Sequence, residues 1–452
     1  MSRPRVIVVG AGVAGLTAGF RLQQQGCDVT VLEAEDRIGG KTASTRTDGF
    51  VVNTGATVLA GSYTALLDLA RDVGIAEEFF PMPGAVIGVV NGGRVHTLRG
   101  GGAGALVDFA RTPLLSARSK LGLAKMVPGL LRSRTKAGYD DHDARAQLDT
   151  ETVAQYCHRT LNAETCDRLL APVLGGIFVV EGRELSAADL WFTLWKVLLG
   201  GLMGYRGGAD VLARAVADRL EVHTGATVLN VTRAGDGARV HWSTGDGMHD
   251  QDADGVVITV PAPRVPEIFP ELAQPIARIL TEGLQQANFI SVRLALSQRP
   301  RTDAMLTVAS LGQLGGIATV SYEHNLSPGA APPGKGLLGV LLYHEWATPR
   351  LGLSDDELVD SVLSSLETIE PGISKNVEFS QVTRWIPGAL KSTQGTHQQI
   401  ARLNRLIDPN DRVQLAGDYL GMPSVNGSIV SGNAAARRLG ATLGTRASAT
   451  PR

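Results

Sequence analysis

Apolar runs and helical repeats alternate at the start of the chain. Arg5-Val-Ile-Val-Val9 is a short apolar run of the kind that forms a strand buried on both faces. After Gly10 to Gly15, Leu16, Ala18, Phe20 and Leu22 recur at helical spacing as far as Gln25, and Gly26 stops the helix. Cys27 to Leu32 is a second strand, ended by Glu33. Strand, helix and strand within about 30 residues make one βαβ unit. The pattern further predicts a helix over 62–75, a mostly helical and irregular stretch from about 80 to 208, and a helix over 209–222 running into Glu221-Val222-His223. A polar hairpin follows (Val228 to Val231, Ala238 to Trp242), then a buried strand over 254–260 closed by Pro261. Residues 290–345 alternate in the strand manner. Ser354 to Ile369 reads as a helix whose acidic first turn, Asp355-Asp356-Glu357, suits the helix dipole. Arg412 to Leu415 is a last strand and Ser428 to Leu439 a closing helix; the small, polar tail from Gly440 is expected to fray.

Composition narrows the class. At 452 residues the chain can hold two or three domains or one composite enzyme, and 44% hydrophobic residues can build a large core. A charged share of 19% argues against extended disorder, and a net charge of −1 against nucleic-acid binding by global charge. The 54 glycines imply many tight turns. Three widely spaced cysteines (Cys27, Cys157, Cys166) suggest neither a disulfide framework nor a zinc site, and fit a reducing, cytoplasmic setting. The run from Val6 stops at Val9, too short for a leader core, and no stretch is apolar enough to predict a membrane span.

The candidate chemistry starts with Gly10-x-Gly12-x-x-Gly15. Gly10 permits a tight turn, Gly12 lets backbone approach a pyrophosphate, and Gly15 lets helix pack on strand. Val13 and Ala14 open a helix whose free N–H groups and positive dipole end suit phosphates. Glu33 ends the second strand, where a carboxylate accepts from ribose hydroxyls and disfavours a 2′-phosphate. With strand, helix, second strand and acid in place, the pattern is a dinucleotide site. An acid at another strand end recurs in Val413-Gln-Leu-Ala-Gly417-Asp418, before Ser424-Val-Asn-Gly427-Ser428-Ile429 opens the closing helix. Such a Gly-Ser turn can stabilise developing negative charge.

The extended opening Glu33-Ala34-Glu35-Asp36-Arg37-Ile38-Gly39-Gly40-Lys41 resembles that of the flavin amine oxidase and protoporphyrinogen oxidase superfamily. The 413–432 segment resembles the same family's closing motif, and 222–228 with 255–261 its middle FAD segment. Residues 151–186, Tyr205-Arg-Gly-Gly208, and Arg384-Trp385 with Pro387, Ala389, Gly395 and His397 look like the protoporphyrinogen oxidase branch. The resemblance implies non-covalent FAD, with Arg37 and Lys41 near the pyrophosphate, Asn53, Thr54, Gly55 and Ala56 near the flavin ring, and Ala34, Thr42 and Thr57 also binding the cofactor. It implies Val228 and Val260 toward the adenine side. It implies Asp418, after Gly417, on the ribityl chain, and Gly427, Ser428 and Ile429 at the ring's N1–C2=O edge. Trp385 is implied against the ring face, and Tyr322, Tyr343 and His344 are further candidates for the catalytic face. The implied fold is an α/β Rossmann-like FAD-binding domain of the GR2 type plus an α+β substrate domain with a mixed sheet and a helical part. Its expected bounds are a discontinuous FAD domain over 1–75, 209–265 and 385–445, a helical part over 76–208, a sheet part over 266–384 and a flexible tail over 446–452.

The implied activity is removal of hydride from a small cyclic organic substrate, forming C=C or C=N, with O2 as electron acceptor and a quinone as the other acceptor left open. The strand Asn288 to Leu294 lacks the Lys usual in flavin amine oxidases, which favours ring dehydrogenation over amine oxidation. A flavin amine oxidase and a non-catalytic flavin-binding scaffold are the alternatives. Gly100 to Ala105 imitates a second nucleotide loop but follows a short polar segment, and is expected to be a flexible loop. Asp140-Asp-His-Asp143 is expected to be a solvated loop and no metal site. Residues 111–136 carry seven basic and no acidic side chains among leucines, so peripheral contact with anionic lipid is a candidate role. Oligomeric state is left open.

Overall fold

The computed structural model describes residues 3–55, 57–100 and 102–444, with side chains undescribed for 102–106. Ala56 and the expected tail 446–452 lie outside the described residues. The organising element is a five-stranded parallel sheet in the order Glu221–His223, Asp28–Leu32, Arg5–Val9, Gly255–Ile258, Val413–Leu415. Its central strands are apolar throughout because both faces are covered. Val6, Val8, Val29, Val31 and Val257 face one apolar cluster, and Ile7, Val9, Val256 and Ile258 the other. On the first face the helices Val13–Gln24 and Val425–Thr442 pack together, closely enough that a Cβ on Gly432 would strike the Ala14 carbonyl. The antiparallel sheet Thr227–Ala234, Gly237–Thr244, Gly247–Ala253 covers the second.

A second, mixed sheet has seven strands in the order Val377–Leu390, Gln286–Leu296, Gly336–Leu342, Ile317–Tyr322, Ala304–Ala309, Val86–Asn91, Arg94–Arg99. All neighbours are antiparallel except Ala304–Ala309 with Val86–Asn91. The helix Asp355–Leu366 covers one face through Leu358, Val362 and Leu366. It starts at a capping box: Ser354 Oγ accepts from the Glu357 N–H and Glu357 Oε2 from the Ser354 N–H, an arrangement whose cap is worth about 1 kcal/mol. Short helices between 117 and 198 form the rest of this half.

Three expectations need correction. The stretch 80–208 is not only helical and irregular: it supplies the hairpin Val86–Asn91 and Arg94–Arg99, turned at Gly92-Gly93 with φ of 59° and 73°. Gly88 hides that strand from a pattern reading, yet a side chain there would strike Thr307 on the neighbouring strand. The glycine-rich segment expected to be a flexible loop runs into a helix, Gly102–Arg111. The strand Val377–Leu390 crosses position 385, so Trp385 belongs to the edge strand of the substrate-side sheet. Among the described residues, no helix is long and apolar enough to cross a membrane and no His/Cys/Asp/Glu group could hold a metal ion.

Candidate functional site

The site opens at the carboxyl ends of the parallel strands, where the central strand hands over to its helix, the usual crevice of such sheets. Gly10 turns at φ 103° with its N–H on the Leu32 carbonyl at 2.7 Å. A Cβ on Gly15 would collide with the Gly10 carbonyl, so only glycine lets the helix sit this close. Gly12 differs: it adopts an ordinary extended φ of −69°, and a Cβ there would meet nothing within 4 Å. That open space lies over the helix N-terminus, whose first N–H groups have no intrahelical partner and no side-chain cap. Gly39, at φ 94°, lays a second loop alongside, its N–H on the Ala11 carbonyl at 2.9 Å. Glu33 accepts from the Ala11 N–H at 2.7 Å and the Glu35 N–H at 2.9 Å, which fixes the carboxylate and leaves further lone pairs on both oxygens.

These residues line a cavity of about 640 Å³. Gly10, Gly12, Val13, Ala14, Glu33, Ala34, Arg37, Gly39, Gly40, Lys41, Thr42, Gly55, Val228, Val260, Trp385, Gly417, Asp418 and Ser428 all reach it. Lys41 Nζ and Asp418 Oδ2 pair at 2.7 Å across the cavity wall. The Arg37 guanidinium pairs with Glu35 at 3.0 Å, donates to Thr54 Oγ1 at 3.2 Å and lies 5.9 Å from the Trp385 ring. The closing helix points its N-terminus at the same space, capped by Ser424 Oγ accepting from the Gly427 N–H at 3.0 Å. The donor set fits FAD: an open approach at Gly12, a fixed carboxylate at Glu33, basic groups at Arg37 and Lys41, and two helix N-termini.

The far end of the cavity is apolar. Ile177, Phe178, Val179, Phe289, Leu341, Trp385, Ile386 and Ala389 line it. Sequence reading assigned none of these a role except Trp385. The signals are present, because Phe178 falls in the family-like stretch 151–186 and Phe289 stands in the strand without the lysine, but nothing local joins 178, 289 and 341. Trp385 Nε1 donates to the Thr54 carbonyl at 3.0 Å, and its ring lies 6.2 Å from that of Phe289. Val179 ends its helix at φ 54°, a strained conformation for a β-branched residue, with its N–H on the Gly175 carbonyl and its own carbonyl accepting from the His344 N–H.

Tyr322, Tyr343 and His344 do not line the cavity. Tyr322 faces the opposite side of its sheet, its hydroxyl on Glu370 at 2.9 Å. Tyr343 is buried against Gly175 and donates to the Ala309 carbonyl at 2.6 Å; burial holds both phenols above their usual range. His344 Nδ1 accepts from the Asn288 N–H at 3.0 Å. Gly15, Thr54, Thr57, Gly427 and Ile429 support the wall from behind: Thr54, Thr57 and Ile429 are buried, and a Cβ on Gly427 would strike the Met422 carbonyl. Ala56 falls outside the described residues. None of the three cysteines lines the cavity.

Comparison with known proteins agrees with this geometry. The model of the family described as flavin containing amine oxidoreductase matches residues 13–440. Protoporphyrinogen oxidase 2, chloroplastic/mitochondrial, of Arabidopsis thaliana is 25% identical over 59% of this chain and 59% of its own length, so the chain spans less than two thirds of that relative. Coproporphyrinogen III oxidase of Bacillus subtilis (strain 168) is 21% identical over 90% of this chain and 91% of its own. Among solved structures, cyclohexylamine oxidase from Brevibacterium oxydans IH-35A superposes with a TM-score of 0.75 at 18% identity, covering 98% of this chain and 100% of that one, a likeness of fold.

Proposed function

The chain belongs to the flavin-containing amine oxidoreductase family and is an FAD-dependent oxidoreductase, and on that premise we propose that it dehydrogenates a cyclic organic substrate, without an ammonium group at the reacting ring, at a ring C–C or C–N bond. The observation that carries the reading is the make-up of the far wall. The cavity-lining acids among the described residues, Glu33, Glu35 and Asp418, all stand with the cofactor-side loops. The wall around Trp385 offers no carboxylate to an ammonium ion. The cations beside it are already paired: Arg384 donates to the carbonyls of Leu351 and Leu353 and to Asp355, and Arg37 pairs with Glu35. A charged amine would lose its hydration there without a counter-ion, at a cost of several kcal/mol. Relatives named for porphyrinogen oxidation support a cyclic substrate.

FAD bound in this cavity would supply the hydride acceptor. The chain's own groups then do the rest. Gly12 and the two helix N-termini would hold the FAD phosphates, Glu33 would orient the ribose end, and the ion pair with Lys41 holds Asp418 in place. Ile177, Phe178, Val179, Phe289, Leu341 and Trp385 would orient the substrate ring and exclude water. Ile177 and Ile386, 39% and 60% exposed, mark where the cavity opens. O2 as the acceptor that recycles the cofactor belongs to the same proposal, as does peripheral contact with anionic lipid. For the latter, Leu121, Val127 and Leu131 stand exposed among exposed Arg118, Lys125, Arg132 and Arg134.

Anaerobic bleaching of the yellow protein tests the reading. The panel is a porphyrinogen, cyclic ketones including a carboxylated cyclohexanone, and cyclic and aliphatic amines. Loss of the flavin band with a porphyrinogen or cyclic ketone, restored by air with peroxide release, is the expected result. Bleaching by amines alone overturns ring dehydrogenation in favour of amine oxidation. A protein that takes up FAD and is bleached by none of the panel returns the scaffold alternative.

A further inference from the structure

Behind the cavity wall lies a buried ion pair that the chemistry above does not use. Arg293, in the strand Gln286–Leu296, is 1% exposed, and Glu323, which opens the short helix after Ile317–Tyr322, is fully buried. Arg293 Nη1 donates to Glu323 Oε1. Its other terminal nitrogen, Nη2, donates to the Gly55 carbonyl at 2.7 Å. Glu323 Oε2 accepts from Asn53 Nδ2 at 2.7 Å, and Asn53 Oδ1 accepts from the Ser44 hydroxyl and the Ala209 N–H, each at 2.8 Å. Between them, the Thr54 carbonyl takes the Trp385 indole N–H. Three consecutive residues on the FAD side, Asn53 to Gly55, are thus gripped by side chains from the substrate-side sheet and the short helix that follows one of its strands.

The sheet is shaped around this pair. Gly339 stands opposite Arg293 on the neighbouring strand, and a Cβ there would collide with both Arg293 Nη1 and Glu323 Oε1. Gly55 itself lines the cavity, and a Cβ on it would strike the Lys41 carbonyl. Stability is a weak reason to keep two charges here. Each costs several kcal/mol to take out of water, and an apolar pair of similar volume is often as stable or more so. What an apolar pair lacks is a directional hold on a backbone carbonyl, and a planar guanidinium can serve a carboxylate and a carbonyl at once. We propose that Arg293 and Glu323 act together as a positioning device that fixes the Asn53–Gly55 backbone against the bound flavin and so sets how the flavin is held and how readily it is reduced. This rests on reading the cavity as the FAD site.

The test uses the FAD-loaded protein and needs no substrate. Arg293→Lys keeps a charge for Glu323 but loses the planar fork. The double variant Arg293→Leu with Glu323→Met removes both charges, so no lone ion is left buried. The expected result is that Arg293→Lys folds with the wild-type far-ultraviolet spectrum and binds one FAD. Its visible circular dichroism should nevertheless be altered, and the ratio of its affinities for oxidised and reduced flavin changed at least tenfold, about 30 mV for a two-electron couple. The double variant should show the same change, and if it does not fold, Arg293→Lys decides alone. Wild-type visible dichroism and potential in Arg293→Lys overturn the proposal and leave the pair a packing feature. A wild-type protein that takes up no FAD overturns the cofactor reading itself, which the FAD stoichiometry reports separately.

Discussion

Placing one methyl group at Gly12 separates the fold of the nucleotide loop from its use. Gly12 sits at φ −69° and ψ 169°, allowed for any L-residue, and its Cβ would point into open space. Gly12→Ala therefore introduces no clash in the protein alone. It also narrows the unfolded ensemble, which by itself stabilises by about 0.4–1 kcal/mol. The apoprotein should be as stable as wild type or slightly more so. The same methyl occupies the space through which a pyrophosphate would reach the helix N–H groups, so FAD affinity should fall at least tenfold, about 1.4 kcal/mol or more. Gly15→Ala is the contrast. Its methyl meets the Gly10 carbonyl, and overpacking of this kind costs about 1–3 kcal/mol before any ligand is added. The assay is urea unfolding of stripped apoprotein with and without FAD, beside a fluorescence titration. Wild type should gain about 2.7 kcal/mol at FAD a hundredfold above its dissociation constant. Gly12→Ala should match it without FAD and gain no more than about 1.4 kcal/mol with it, whereas Gly15→Ala should be weak in both. Wild-type FAD affinity in Gly12→Ala would refute the reasoning.

Other substitutions probe other parts. Burial of His324 pushes its imidazole down to about 4 from an ordinary 6.5. Its stability contribution is then complete above pH 6.5 and is lost as pH falls toward 4, about 3 kcal/mol in all. Urea unfolding of His324→Leu at pH 7, 5.5 and 4.5 should show a correspondingly smaller acid loss than wild type, and an identical loss would count against it. Val179→Gly trades a buried side chain for release of left-handed strain, so it should cost about 1–3 kcal/mol less than Val180→Gly next to it, which is fully buried without that strain; equal costs would disprove the strain. Leu121→Asp with Leu131→Asp should reduce sedimentation with phosphatidylserine vesicles at least tenfold while FAD content is unchanged, and undiminished sedimentation would remove this patch from the membrane proposal.

The cofactor half was legible because its chemistry is local. Gly10, Gly12, Gly15 and Glu33 are tied by turn geometry and the length of one βαβ unit, and each stands where the spacing puts it. The Lys41–Asp418 pair is nonlocal, yet both ends sit in recognisable loops. The substrate half was not legible, for two physical reasons. Its strands are buried on both faces, so hydrophobic pattern cannot say which face a residue takes. One step of parity sends Tyr322 to the helix-covered side instead of the cavity. Its wall also draws single residues from 178, 289, 341 and 385, which meet only through sheet register. The hairpin at 86–99 was missed because Gly88, needed for contact with Thr307, interrupts the apolar run that signals a strand.

The parallel sheet bears on how the chain is made. Its strands come from residues 5–9, 28–32, 221–223, 255–258 and 413–415, and the last pairs only with Gly255–Ile258. On a ribosome, that inner strand edge has no partner until residues 413–415 have emerged. An apolar edge left open so long invites wrong pairing between nascent chains. The closing helix, whose N-terminus completes the cofactor cavity, arrives later still. Cofactor capture is therefore a late event in synthesis, and the bound flavin's colour reports that the final strand has found its place.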